Sequence, residues 1–130
     1  MNLNLSRFAP FLRSVLRIVA AALLLQHGTQ KLLNVPDGHG VAAIFSQLWI
    51  AGVIEVFGGL LLLAGLFTRP VAFLVSGEMF AAYMIAHRPR GALPIVNGGE
   101  LAILFCFIWL YVVAAGPGPV SVDAIVRKRR

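Results

Sequence analysis

Acidic residues are scarce in this chain: Asp37, Glu55, Glu78, Glu100 and Asp123 are all that its 130 positions hold. Charged residues of both signs make up 12%, against about 25% in an ordinary soluble domain. A soluble helical bundle would need polar outer faces, and the apolar runs here have none to supply. Cysteine is nearly absent. With Cys106 alone, an intrachain disulfide, a CxxC redox pair and covalent haem attachment are all excluded. Within its apolar run Cys106 reads as a small hydrophobe rather than a nucleophile. There is no glycine-rich phosphate loop following a strand and no nucleophile elbow. His27, His87 and the glutamates show no metal-type local spacing, so no metal site is assigned. The apolar runs also lack the alternation of period two that an all-β chain requires.

What the chain does have is hydrocarbon. Hydrophobic residues reach 59% and the mean hydropathy is +0.87, which points to a single membrane domain over residues 1–130 with several spans of about 20 residues. The runs predict helices over roughly 11–33, 48–67, 70–87 and 97–115. The first begins like a signal peptide, but its apolar stretch continues and three more follow, so an uncleaved span is the better reading. Turn formers in Asn34-Val-Pro-Asp-Gly-His-Gly40, Thr68-Arg69-Pro70 and His87–Pro94 separate the runs, and Gly116-Pro-Gly-Pro119 stops the last one. Pro70 suits the first turn of the third helix. The fold class is therefore all-α, a four-helix transmembrane bundle of up-down topology.

The net charge of +6 does not point to nucleic acid, because the basic residues gather at the ends of apolar runs. Arg7, Arg13 and Arg17 precede or open the first, and a basic tail over 120–130 ends in Arg127, Lys128, Arg129 and Arg130. This is the pattern of topology-setting charges and contacts with anionic lipid. With both termini cytoplasmic, only Lys31, Arg88 and Arg90 lie outside.

Ionisable residues within a membrane usually face a bundle interior or a water-filled cavity. Given 1.5 Å of rise per residue, His27 and Lys31 fall near the outer end of the first span and Glu55 two turns into the second. Tyr83 and His87 end the third, Glu100 begins the fourth, and Glu78 lies deeper, near the midplane. On the second span Ala51, Gly52, Glu55, Gly58, Gly59 and Leu62 share one face, and small residues mark close helix contact. Ala20, Leu24, His27 and Lys31 form a stripe on the first. The helix dipole would favour a carboxylate at Glu100. Each residue also has a structural reading. Glu55 or Glu100 paired with Lys31 would lock helices together. His87 suits the interface, and Trp49, Tyr83, Trp109 and Tyr111 suit belt or packing roles. Arg17 is expected to snorkel to the headgroups, and His39 to be solvated in its loop.

Taken in order, Arg17 with His27-Gly28-x-x-Lys31, Gly52-x-x-Glu55-x-x-Gly58-Gly59, Gly65-Leu-x-Thr68-Arg69, Asn97-Gly-Gly-Glu100 and Gly116-Pro-Gly118 with Ser121-Val-Asp123 resemble the DoxX family. The match runs from about Arg17 to Asp123. The resemblance implies a small four-helix protein of the bacterial inner membrane. Some relatives are linked to redox chemistry: one type is a subunit of a thiosulfate:quinone oxidoreductase, and others associate with enzymes of oxidative and sulfur stress.

Two functions follow as expectations. In the first, His27, Lys31, Glu55, Glu78, Tyr83, His87 and Glu100 supply ligand-binding or proton-exchanging groups for a quinone or similar amphipathic molecule in the outer half of the bundle. The chain holds no intrinsic cofactor, so any oxidoreductase role would depend on a partner for electrons, and whether it catalyses anything itself stays open. In the second, the chain is a non-catalytic anchor that recruits a soluble enzyme through Arg69 and its basic tail. A small proton-coupled transporter, suggested by Glu78, ranks behind both. Membrane lipid, and a partner protein or further copies of the chain, are the expected partners.

Overall fold

The computed structural model describes residues 4–130. A short 3-10 turn, Leu5–Phe8, leads into α1 (Ala9–Leu33), followed by α2 (Gln47–Ala64), α3 (Thr68–Ala82), the four-residue α4 (Pro94–Asn97), α5 (Glu100–Ala115) and α6 (Val122–Lys128). Among the described residues every regular element is helical. Three helical stretches, Leu5–Leu33, Gln47–Ala64 and Thr68–Arg90, are long and apolar enough to cross a membrane, while Glu100–Ala115 is apolar but shorter. Large side chains on the outer faces, such as Phe57 (63% exposed), Phe73 (68%) and Phe107 (63%), would form an unusually broad apolar surface in water. They suit lipid.

The ends of the helices are set by recognisable local chemistry. Ser46 caps α2 by accepting the Trp49 amide at 3.1 Å, as N-cap serines do. Gly65, at φ +70°, closes α2: its amide reaches the Leu62 carbonyl at 3.2 Å and the Leu66 amide reaches Leu61 at 2.9 Å. That pair of bonds is a Schellman motif, which needs a left-handed residue where glycine carries no Cβ penalty. The second helix consequently ends at Ala64 rather than at residue 67, and the third starts at Thr68 with Pro70 in its first turn.

Two further boundaries differ from expectation. The third helix does not run uniformly to His87. Over Tyr83–His87 it loosens into π-type hydrogen bonding, then tightens into a 3-10 turn at Arg88–Arg90. The fourth apolar helix begins at Glu100 rather than Asn97, because Pro94–Asn97 forms its own turn and Gly98, at φ +71°, breaks the chain direction. The basic tail is partly ordered as α6, capped by Ser121, whose hydroxyl accepts the Ala124 amide at 3.1 Å.

Packing follows the small residues. A Cβ on Gly28 would fall 2.7 Å from Val56 Cγ2, and one on Gly59 would fall 2.8 Å from Leu25 Cγ. Contacts climb α2 as they descend α1: Lys31 meets Glu55, Gly28 meets Val56, Leu25 meets Gly59, and Arg17 meets Leu62. Close approach of this kind lets helices associate through dispersion and hydrogen bonds where no water drives them together. α3 pairs with α5 in the same manner, with Ser76 donating to the Cys106 carbonyl at 2.8 Å and Arg69 reaching Val113. Leu24, Leu62, Val75, Phe105, Trp109 and Val112 fill the space between the two pairs.

Candidate functional site at the end away from the termini

The glycines that join α1 to α2 also set the position of the main polar group. A Cβ on Gly52 would come within 2.9 Å of Leu32 Cδ2, so α2 lies directly beneath the last turn of α1. At that separation Lys31 Nζ reaches both carboxylate oxygens of Glu55, at 2.7 and 2.6 Å. Glu55 is 2% exposed. This is the one ion pair among the described residues, and a buried carboxylate persists only with such pairing. One turn earlier on α1, His27 stands edge-on to Phe105 of α5, with centroids 6.1 Å apart at 88°.

Glu78 enters from α3. It lies within electrostatic range of both Glu55 and Lys31, and its Oε2 atom is buried with no hydrogen-bond partner. Buried polar atoms are nearly always satisfied, so an orphaned carboxylate oxygen calls for an explanation. Four of the seven residues singled out from the sequence thus come together: His27, Lys31, Glu55 and Glu78.

The other three do not join them. Tyr83 and His87 flank the π-type turn, their rings stacked at 6.4 Å, and both bind Asn97. The Asn97 amide nitrogen lies 3.2 Å from the Tyr83 hydroxyl, and His87 Nδ1 lies 3.2 Å from the Asn97 carbonyl. Asn97 also donates to Gly91 and accepts from the Gly99 amide, and is 2% exposed. It fastens the α3–α5 connection, a role that its place in Asn97-Gly-Gly-Glu100 did not reveal. No hydrogen bond among the described residues links this trio to the Lys31–Glu55 pair. Glu100 is exposed. The buried positions of α5 are Ala102, Phe105, Trp109 and Val112, and Glu100 precedes Ala102 by two residues, about 200° around the helix. Its own spacing turns it away from the core.

At the opposite end, near the termini, Arg17 corrects an expectation. It does not snorkel: it is fully buried, because it shares a helical stripe with Ser14, Ala21, Leu24 and Gly28. Its guanidinium donates to the carbonyls of Leu62, Leu63 (2.8 Å), Pro117 (2.9 Å) and Val120. This one side chain thereby ties the C-terminal carbonyls of α2, where helical partners run out, to those of Pro117 and Val120 after α5. Arg69 does the same for α5, donating to Val113 and Ala114 at 2.6 and 2.7 Å, and Arg13 donates to Ala115 at 2.6 Å. Asp123 closes the junction from the acidic side. Its oxygens accept the Phe67 and Thr68 amides at 3.0 and 2.9 Å, which open α3. Burial pushes this carboxyl up, but the bonds from Thr68 and Phe67 and the nearby Arg17 charge outweigh it and hold it below the usual aspartate range. Two concavities open here, of about 230 and 290 Å³.

No three His, Cys, Asp or Glu residues gather as metal ligands among the described residues. The molecule is thus a multi-pass helical membrane protein with a polar cluster at one end and an arginine-capped junction at the other. The DoxX family profile matches residues 12–88, more than half of the chain. A Haemophilus influenzae protein, described as "Uncharacterized protein", is 44% identical over 126 residues, covering 92% of this chain and 94% of its own length. The chain belongs to the DoxX family. The profile spans Arg17, the four cluster residues, Tyr83 and His87, and the Gly65–Arg69 turn; the Haemophilus protein extends the similarity over most of the rest. No solved structure matches it.

Proposed function

We propose that this DoxX protein is a subunit of the bacterial inner membrane that binds a quinone or a similar amphipathic molecule beside His27 and Glu78. In this reading all four apolar helices span the bilayer up and down, with both termini in the cytoplasm. Eight of the eleven Lys and Arg residues then lie on the cytoplasmic side, as the positive-inside rule favours. α5 has 16 residues, about 24 Å of helix, and local thinning of the bilayer accommodates that length at modest cost.

The observation that carries the reading is the unpartnered Glu78 oxygen next to an ion pair that is already complete. Lys31 and Glu55 satisfy each other, which leaves Glu78 and His27 as the groups with hydrogen-bonding capacity to spare. A protonated carboxyl donates to a carbonyl oxygen and an imidazole either donates or accepts, which matches the two oxidation states of a quinone head. Electrons come from a partner enzyme, since this chain contributes only binding groups and proton exchange. Titration of a short-chain quinone analogue into detergent-solubilised protein tests the reading. Saturable binding that weakens about tenfold in E78L, the loss of one good buried hydrogen bond, is expected. No binding with or without the partner would contradict it.

A second reading is favoured by a separate observation: the two concavities described above and most basic residues lie at the end near the termini, away from the cluster. There the chain acts as a non-catalytic anchor, and Lys31–Glu55 is a helix lock. In that case E55Q lowers stability and E78L changes nothing, whereas loss of residues 127–130 abolishes partner recruitment.

A further inference from the structure

The larger of the two concavities, about 290 Å³, is lined by Arg13, Arg69, Arg127 and Lys128 with Pro117 and Gly118, and no acidic side chain faces it. Four cations converge on it from three helices: Arg13 from α1, Arg69 from α3, and Arg127 and Lys128 from α6. Two of them are held in place: Arg13 through Ala115, and Arg69 through Val113 and Ala114. Each uses a single terminal nitrogen for this, although a guanidinium carries five N–H groups. Arg13 Nε is buried with no partner. The side chains of Arg127 and Lys128 make no hydrogen bond or ion pair among the described residues. The one carboxylate at this end, Asp123, lines the adjoining concavity and is already engaged by two amides.

We propose that this cleft is a binding site for the phosphate of an anionic phospholipid headgroup. Fixed guanidinium forks suit phosphate oxygens, which they meet by paired, charge-assisted bonds. A lipid, rather than an acidic protein segment, fits what surrounds the cleft. Phe11 (54% exposed) and Leu12 (58%) flank Arg13 on α1, and Leu110 (46%) lies on α5 just before the capped carbonyls. The acyl chains run along this apolar surface while the headgroup sits among the cations at the helix ends, where basic pockets between membrane helices take anionic lipid. The site is independent of the quinone reading, because it lies at the other end of the bundle and shares no residue with it. Its effect is to pin α6 against α1 and α5 through Arg127 and Lys128.

The test is lipid retention in native mass spectrometry of the full chain, with phosphatidylglycerol and phosphatidylcholine offered together. Two charge-matched variants separate a built site from general attraction by the tail. R127Q/K128Q removes two cleft cations; R129Q/R130Q removes two tail cations outside it. Expected are preferential retention of phosphatidylglycerol, a drop of about tenfold in R127Q/K128Q, and near-wild-type retention in R129Q/R130Q, with unchanged far-ultraviolet circular dichroism in both. Equal losses in the two variants, or no preference between the lipids, would overturn the proposal. So would displacement of the lipid by millimolar inorganic phosphate, which would assign the cleft to a free anion, or displacement by an acidic peptide, which would assign it to a protein partner.

Discussion

Arg17 and Leu62 meet where α1 passes the end of α2, the guanidinium donating to a carbonyl that also accepts the Gly65 amide closing the helix. The same side chain also reaches Leu63, Pro117 and Val120, so one residue joins the end of α2 to the loop after α5. Lysine, with a compact ammonium, cannot span that set of acceptors. R17K is expected to lose about 3 kcal/mol, since orphaned buried carbonyls cost about 1–3 kcal/mol each. Thermal unfolding in detergent, followed through the buried Trp109, checks this; an unchanged midpoint would mean that the acceptors find water instead.

Gly118 lies in the left-handed region at φ +83°, and a Cβ there would fall 2.1 Å from Ser14 Oγ, 2.9 Å from Ser14 N and 3.1 Å from the Pro10 carbonyl. G118A therefore destabilises by more than ~1 kcal/mol, through both conformation and overlap. Adding S14A removes only the hydroxyl and leaves the backbone contacts, so the double variant regains part of the loss and not all of it. Full recovery in the same unfolding assay would show that backbone overlap and strain are negligible.

Asp123 makes stability depend on pH in a defined direction. Its carboxyl is held below the ordinary value, chiefly because the Thr68 and Phe67 bonds outweigh burial. A group depressed in the folded state contributes fully above its unfolded value, near 4, and that contribution fades as pH falls through the lower folded value. D123N is expected to cost about 1 kcal/mol at neutral pH, the usual worth of a helix cap. The gap between wild type and D123N should close as pH drops below about 4. A gap that stays constant with pH would show that the charge contributes nothing.

How much of this was legible beforehand depends on the type of signal. The buried face of α2, with Gly52, Glu55, Gly58, Gly59 and Leu62 all buried, follows from small residues at helical spacing. The helix ends were less readable: Gly65 and Gly98 take left-handed conformations, and nothing in a hydropathy run marks which glycine will stop it. Basic residues near span ends usually reach headgroups, and Arg17 is the exception. Its registry with Ser14 and Leu24 is the signal that marks it as buried. Depth alone places Glu100 level with Glu55, and depth does not specify azimuth around a helix. Tyr83 and His87 fall at the right level too, but a π-type turn and Asn97 claim them.

Lys31 and Glu55 offer a double-mutant cycle that separates lock from ligand group. Either K31M or E55Q alone leaves an unpaired buried partner and should cost about 3 kcal/mol. The double variant should recover much of that, because two neutral side chains of similar size no longer need each other. Additive losses would mean that the pair is not coupled as its geometry indicates.

The central claim is that an amphipathic molecule sits beside His27 and Glu78. Photolabelling with a quinone that carries a photoreactive group on its head, followed by peptide mapping of the labelled chain, tests it most directly. The account predicts label on the segments holding His27 and Glu78, suppressed by excess unlabelled quinone and by E78L. Label confined to the clefts around Arg69 and Arg127, or spread over the outward phenylalanines without competition, would contradict it.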